Sequence, residues 1–309
     1  MTVISATMLT LFTTPKAFRG HIGTIQRNAI KSWTMIIPRP EIILFGDEEG
    51  TAQTSTELGV QYLPRVARND HGTPLVNDLF EKAQQLATHH IICYANADII
   101  LMNDLMDAVR QVARRMRRFL IVGQRWDLDV SGPLDFGAGW EQNLRARVAR
   151  DGCLHPPTGI DYFVFPRGLW GEIPSFIIGR TVWDNWLLYR ARSRGASLVD
   201  ATPVAMAVHQ NHDYSHIPGG EEGAWSGIEA RRNQELAGDL RFTFTLEDAT
   251  HILSPERLKR ALDWSHICRQ FKTLPLFHPH LQMLARPLLR TIELADRARN
   301  RFGIDREIH

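Results

Sequence analysis

His90-Ile91-Ile92-Cys93-Tyr94-Ala95-Asn96-Ala97-Asp98-Ile99-Ile100-Leu101 is an apolar run of strand length interrupted by two polar side chains. Read as a buried strand, it carries Asp98 to the point where the chain leaves a sheet. A carboxylate there can hold a hard divalent cation against a diphosphate, because Mg²⁺ and Mn²⁺ take oxygen ligands and share them with substrate phosphates. The alternative is that Asn96 and Asp98 cap a helix starting near Asn103.

Working outward, strand and helix patterns alternate through the first 125 residues. Val3 to Phe12, Glu41 to Phe45, Val60 to Leu63 and Phe119 to Gly123 read as strands. Between them, Ile22, Ile25, Ala29 and Trp33 recur at helical spacing, Thr51 to Leu58 is a short helix, and Leu75 to Ala87 packs Leu75, Leu79, Ala83 and Leu86. Asn103 to Arg117 is a further amphipathic helix. Strands separated by helices imply right-handed crossovers and a mainly parallel sheet. Ligands of such sheets gather at the carboxyl ends of the strands, which singles out Thr13, Asp47 and Asp98.

After the first strand the chain reads Thr13-Thr14-Pro15-Lys16, with no Gly-x-Gly-x-x-Gly, and no Gly-x-x-x-x-Gly-Lys-Ser/Thr occurs anywhere. A dinucleotide dehydrogenase and a P-loop phosphotransferase are both disfavoured. Without a glycine-rich cradle, a metal on Asp98 would neutralise a diphosphate.

Trp126 to Pro157 reads as a long irregular stretch of the kind that is usually functional or mobile, and Trp126 and Trp140 in it either stack on sugar rings or anchor the segment to the core. Asp161 to Phe165 is a strand. Thr181 to Gly195 predicts a helix that starts beside Asp184, buries Val182, Trp186, Leu187 and Tyr189, and stops at Gly195. Asp184 is then either a favourable N-terminal charge, worth about 0.3–1 kcal/mol, or a general base at a cleft. Ser197 to Asp200 and Val204 to Val208 read as strands, the second running into His209, His212 and His216. Neutral imidazole is a common metal ligand. A residue leaving a strand is better preorganised than one on a loop, so His209 is preferred to His212 and His216, with His212 retained as a candidate.

In this order and spacing, the pieces resemble glycosyltransferases of the GT-A fold, the nucleotide-diphospho-sugar transferase superfamily, and within it the family-2-like members. Arg68-Asn69 resembles their arginine-asparagine element, Asn96-Ala97-Asp98 their Asp-x-Asp motif, and Asp184, eleven residues before Gly195, the aspartate of their Glu-Asp motif. His209 stands where many members complete the metal site. The resemblance spans about residues 5–216 and departs at Asn96, in place of the first aspartate, and at Trp183, before the base aspartate.

The resemblance implies a Rossmann-like, mainly parallel twisted sheet flanked by helices over residues 1–254, with a helical C-terminal extension over 255–309. It implies metal-dependent transfer of a sugar from a nucleotide-diphospho-sugar, with UDP-sugar the expected donor, to a saccharide or lipid-linked acceptor. Asp98, His209 and His212 would hold Mn²⁺ or Mg²⁺; Thr13, Asp47, Arg68 and Asn96 would line the donor site; Asp184 would deprotonate the acceptor in an inverting reaction. Two other classes stay open: a catalytically silent nucleotide- or sugar-binding module, and a metal-dependent hydrolase built on His209, His212 and His216.

Composition fits a globular enzyme, with 44% apolar residues and a formal charge of +2 that gives no reason to expect nucleic acid. Cys93, Cys153 and Cys268 are odd in number and widely spaced, which favours a reducing compartment over a disulfide framework. Met1 to Phe12 has no leader pattern and no apolar run reaches the length of a membrane span, so a cytoplasmic protein is expected. From Pro255 onward, eleven Lys and Arg face six Asp and Glu. Leu284, Leu288, Ile292, Ala295 and Phe302 share a helical face there, giving either a basic amphipathic helix at the inner membrane surface or a helix packed on its own domain.

Overall fold

The structure, a computed structural model, describes residues 9–213 and 220–281. The chain divides into two compact units, Met1–Lys259 and Arg260–His309. The first begins with β1 (Leu9–Thr13), α1 (Gly20–Thr34), β2 (Glu41–Phe45), α2 (Thr51–Leu58), β3 (Gln61–Leu63), α3 (Val76–Leu86) and β4 (Ile91–Ala95). Next come β5 (Ile99–Ile100), α4 (Asn103–Ala113), β6 (Phe119–Val122), β7 (Arg125–Leu128), α5 (Trp140–Asp151), β8 (Cys153–Leu154) and β9 (Tyr162–Pro166). They are followed by α6 (Trp183–Ser193), β10 (Ser197–Asp200), β11 (Ala207–Gln210), α7 (Gly220–Ser226), α8 (Ile228–Ala237), β12 (His251–Leu253) and β13 (Leu258–Arg260). In the second unit the described residues form α9 (Trp264–Phe277), N-capped by the Asp263 side chain.

Among the described residues the main sheet has the order β13-β12-β10-β6-β9-β4-β1-β2-β3. On one side of β9 the strands β6, β10 and β12 pair in parallel, on the other β4, β1, β2 and β3 do, and β9 itself runs antiparallel between β4 and β6. The chain is thus a mixed α/β protein on a mainly parallel sheet. Because strand side chains alternate between faces, Leu11, Leu44, Cys93 and Ile121 pack beneath Ala29 and Trp33 of α1 and Leu105 and Val109 of α4. The other face is aromatic. Phe12 meets Phe80 of α3 edge-on at 5.1 Å, Phe80 stacks on Phe165 at 5.8 Å, and Trp183 of α6 stands against Tyr94 at 5.5 Å.

The run from His90 to Leu101 is two strands in two sheets. β4 ends at Ala95, Asn96–Asp98 makes a turn closed by the Ile99 N–H on the Asn96 carbonyl (3.0 Å), and β5 joins a second sheet of order β5-β11-β7-β8. Asn96 and Asp98 do not cap α4, whose N-cap position is Met102. Trp126 to Pro157 is not irregular: it holds the end of β7, α5 and β8. The polar helix α5 buries only Leu144 and Val148, too few apolar positions to announce itself. Trp140 packs on Phe136 at 5.0 Å, and Trp126 packs on a small apolar cluster with Trp140 beside it, so both anchor the segment. The strand expected at Val204 to Val208 lies at Ala207–Gln210 because the Val204 and Ala205 N–H groups turn back onto Ala201. Residues 3–8 of the expected first strand, His216 and the apolar face from Leu284 to Phe302 lie outside the described residues. Among the described residues, no helix is long and apolar enough to cross a membrane.

Candidate metal and catalytic site

Asp98, His209 and His212 converge where the small sheet meets the main one, each offering a ligand atom within 4.8 Å of the others. The antiparallel pairing of Ile99 with His209 fixes Asp98 beside β11. His212 Nδ1 lies 2.7 Å from the Asp213 carbonyl oxygen, which requires the proton on Nδ1, and its Nε2 lies 3.1 Å from Asp98 Oδ2. A histidine ligand whose other nitrogen is tied to a carbonyl has its tautomer and orientation set. The loop residue His212 therefore stands within 3.1 Å of Asp98, and the structure brings both it and the strand residue His209 to the carboxylate. Within β11, His209 sits in the strand rather than beyond it.

Asp98 is held from behind as well. Its carbonyl accepts Gln210 Nε2 (3.0 Å), and the fully buried Gln210 also donates to Ile25 O (2.8 Å) and accepts from Asn28 Nδ2 (2.9 Å). Asp98 Oδ1 is buried without a hydrogen-bond partner among the described residues. An unmatched charged acceptor is costly, and a carboxylate with two imidazoles is a donor set that fits a divalent ion. Burial pushes the Asp98 pKa up, but the His212 hydrogen bond and the charges of His209 and Lys16 outweigh it and hold the carboxyl well below the usual range. Burial likewise opposes charge on His209, yet Asp127 and Asp98 raise its pKa.

Asn96 does not face this cluster. Its amide donates to Asp161 Oδ1 (2.6 Å) while its oxygen accepts from the Tyr94 hydroxyl (2.8 Å). Asp161 Oδ2 in turn accepts Arg125 Nη1 (2.8 Å). An aspartate at 96 would lose the donor and set two carboxylates against each other, so the asparagine follows from its partner.

Asp184 lies in the first turn of α6, after an N-cap residue, Val182, whose side chain caps nothing. Val182 has φ +85°, the only non-glycine residue with positive φ among the described residues. For a β-branched side chain that conformation is strained, and it is held by burial of Val182 and by Trp183 wedged between Tyr94 and Phe163. This accounts for tryptophan before the aspartate. Burial, reinforced by the Asp161 charge and opposed by the Asn185 N–H, raises the Asp184 pKa to about 7.

A cavity of about 350 Å³ is lined by Asp98, His209, His212 and Asp184 together. Its wall also includes residues that sequence patterns did not select. Lys16 is placed by the loop after β1, where the Gln26 side chain bonds its backbone N–H (2.6 Å) and carbonyl (2.9 Å). Burial lowers the Lys16 pKa, against the opposing charge of Asp98. Arg180 is tied to Glu229, which also accepts Asn69 Nδ2 (2.6 Å) and Thr73 Oγ1 (2.7 Å), so Asn69 acts on the cavity through Glu229 and Arg180. His155 and Arg125 complete the polar wall, and Trp225, 57% exposed, stands at it.

Thr13, Asp47 and Arg68 are not among the residues lining this cavity. Arg68 bridges Asp47 Oδ1 (2.7 Å) and Glu48 Oε1 (2.8 Å), bringing two of the four expected donor-site residues together beyond β2 and β3. Thr13, Thr14 and Glu48 each carry a buried polar atom without a hydrogen-bond partner among the described residues. Gly46 (φ +97°) leaves that space open, since a Cβ there would collide with Glu48 Oε2.

No protein-family model and no curated protein matches the chain. Among solved structures it is similar to a mannosyltransferase from Pyrobaculum calidifontis in complex with GDP-Man and Mn²⁺ (13% identity, TM-score 0.44), covering 76% of this chain and 64% of that one. It is also similar to glucosyl-3-phosphoglycerate synthase from Mycobacterium tuberculosis in complex with Mn²⁺, UDP and phosphoglyceric acid (14% identity, TM-score 0.43), covering 75% of this chain and 78% of that one. The chain thus spans less than two thirds of the mannosyltransferase's length.

Proposed function

We propose that the protein is a GT-A-type glycosyltransferase that moves a sugar from a nucleotide-diphospho-sugar to an acceptor hydroxyl with inversion. The observation that carries this reading is a single cavity holding both a carboxylate-imidazole cluster suited to a divalent ion and a half-buried aspartate with its pKa raised to about 7. Asp98, His209 and His212 are the proposed metal ligands, and two imidazoles favour Mn²⁺ over the strictly oxygen-seeking Mg²⁺. The ion, when bound, supplies positive charge that stabilises the departing diphosphate. Lys16 and Arg180 add fixed positive charge to the same wall. Asp184, poised near neutrality, takes the acceptor proton.

The nucleoside end is assigned to the carboxyl ends of β1 and β2, where Thr13, Thr14 and Glu48 offer unpartnered polar atoms and Asp47 pairs with Arg68. Uracil, with both N–H and carbonyl groups, suits such a set, and UDP-sugars are the proposed donors. Asparagine at 96, the departure from the Asp-x-Asp motif that would speak for a catalytically silent module, is accounted for by its donation to Asp161, which favours the enzymatic reading. Release of nucleoside diphosphate from a panel of nucleotide-sugars with Mn²⁺, measured with and without acceptor sugars, is the test. Absence of metal-dependent binding and turnover across the panel rejects it.

A further inference from the structure

In the small sheet, β7 lies between β11 and β8, and the register places Asp127 beside His209 on one side and Cys153 on the other. His155, two residues beyond Cys153, is drawn in by its N–H on the Arg125 carbonyl (2.9 Å). Asp127 therefore has an imidazole on each flank. Its Oδ2 is 2.7 Å from His155 Nδ1, and its Oδ1 is 3.2 Å from His209 Nδ1, an ion-pair distance whose angle falls short of hydrogen-bond geometry. Arg125 Nε fixes the same Oδ1 (2.9 Å), and Arg125 is itself fixed by Asp161. Gly159 makes room for His155, because a Cβ there would meet its ring at 2.4 Å.

We propose that Asp127 is the positioning carboxylate of the metal site: it holds the proton of His209 on Nδ1, so that Nε2 is the metal ligand, and with its other oxygen it presents His155 Nε2 to the same cavity. The argument is geometric. An imidazole has two nitrogens, and one bound to a carboxylate leaves only the other, unprotonated, for a metal. His212 is oriented by a backbone carbonyl, whereas His209 Nδ1 has no hydrogen-bond partner among the described residues and Asp127 is the acceptor beside it.

The inference rests on the reading of Asp98, His209 and His212 as metal ligands, and the experiment separates the two. Titration of the full-length protein with Mn²⁺ by calorimetry and with Co²⁺ by visible absorption is compared for wild type, Asp127→Asn and Asp127→Glu. Asp127→Asn is expected to weaken Mn²⁺ binding about 10–100-fold and to alter the Co²⁺ spectrum, while Asp127→Glu restores part of the affinity. Should Asp127→Asn fail to fold, the Glu variant carries the test, with weakened binding and an altered spectrum expected. Wild-type affinity and spectrum in a folded Asp127 variant overturns the positioning role alone; a wild type that binds neither ion overturns the metal site and this role with it.

Discussion

Replacing Asp184 with asparagine separates a catalytic base from a helix-terminal charge without needing a known substrate. The Asp184 pKa rises from 3.8 to about 7, a shift of roughly three units at about 1.36 kcal/mol each. A carboxyl with a raised folded-state pKa contributes its full share of stability below its unfolded pKa and loses it as pH rises through the folded value. The ceiling is about 4 kcal/mol, and because Asp184 is partly exposed to the cavity, roughly half of that is expected. Asparagine keeps an oxygen for the Asn185 N–H, which Asp184 Oδ1 accepts at 2.9 Å, and carries no charge to bury. In EDTA, Asp184→Asn should melt higher than wild type by about 4 °C at pH 8.5, with the difference shrinking below pH 7 and vanishing near pH 4. In turnover assays the wild-type rate should climb with pH through about 7, since the base must be ionised, and the variant should lose about 10²–10⁴-fold while still binding donor. A melting difference that is flat from pH 4 to 8.5 refutes the buried-carboxyl argument. Near-normal turnover of the variant refutes the base.

The remaining predictions concern the shell around the cluster. Asp98→Ala should remove the Mn²⁺-dependent tightening of nucleoside-diphosphate binding without unfolding the protein, and calorimetry with unchanged Mn²⁺ dependence rejects its role as ligand. Asn96→Asp, which restores the family's motif on paper, should lower stability by about 1–3 kcal/mol because a donor to Asp161 becomes a second acceptor; a denaturant midpoint equal to wild type counts against the network. Gln210→Leu strips Asp98 O and Ile25 O of a donor and leaves Asn28 with one acceptor fewer, so it should cost about 2–3 kcal/mol and weaken Mn²⁺ binding. Stability lost without any change in metal affinity would show that the buried amides do not position Asp98.

The sheet was legible because its strands are apolar and its helices carry regular faces: Leu11 with Phe12, and Cys93 with Tyr94, alternate cleanly between the two layers. Asp98 and Asp184 were legible because each sits at an abrupt end of such a segment. Arg125, Asp127, His155 and Asp161 were not. Arg125, Asp127 and His155 lie in or just outside strands of two to four residues, and two-residue periodicity needs more than one or two repeats to be recognised, while Asp161 opens a legible strand but takes its part only through Arg125, far off in sequence. Lys16 carries no sequence signal, since Thr13 to Lys16 fits no phosphate-binding pattern and the place of Lys16 at the cavity depends on Gln26, ten residues on, bonding the loop backbone. The positive φ of Val182 has no sequence signal at all, since a β-branched residue is among the least expected there.

The small sheet gives these short elements a common purpose. The turn at Asn96–Asp98 hands the chain from the large sheet to the small one, so its two polar residues serve different partners. Asp98, on the small-sheet side, joins His209 and His212; Asn96, on the large-sheet side, joins Tyr94 and Asp161. Asp161 then reaches back through Arg125 to Asp127, beside His209. The chain of contacts from Asn96 therefore ends beside His209, which Asp98 also approaches, by way of a carboxylate, a guanidinium and a second carboxylate. An aspartate at 96 would set two carboxylates in succession at its first link. The asparagine is thus the neutral donor to Asp161, which holds Arg125, and through it Asp127, in place.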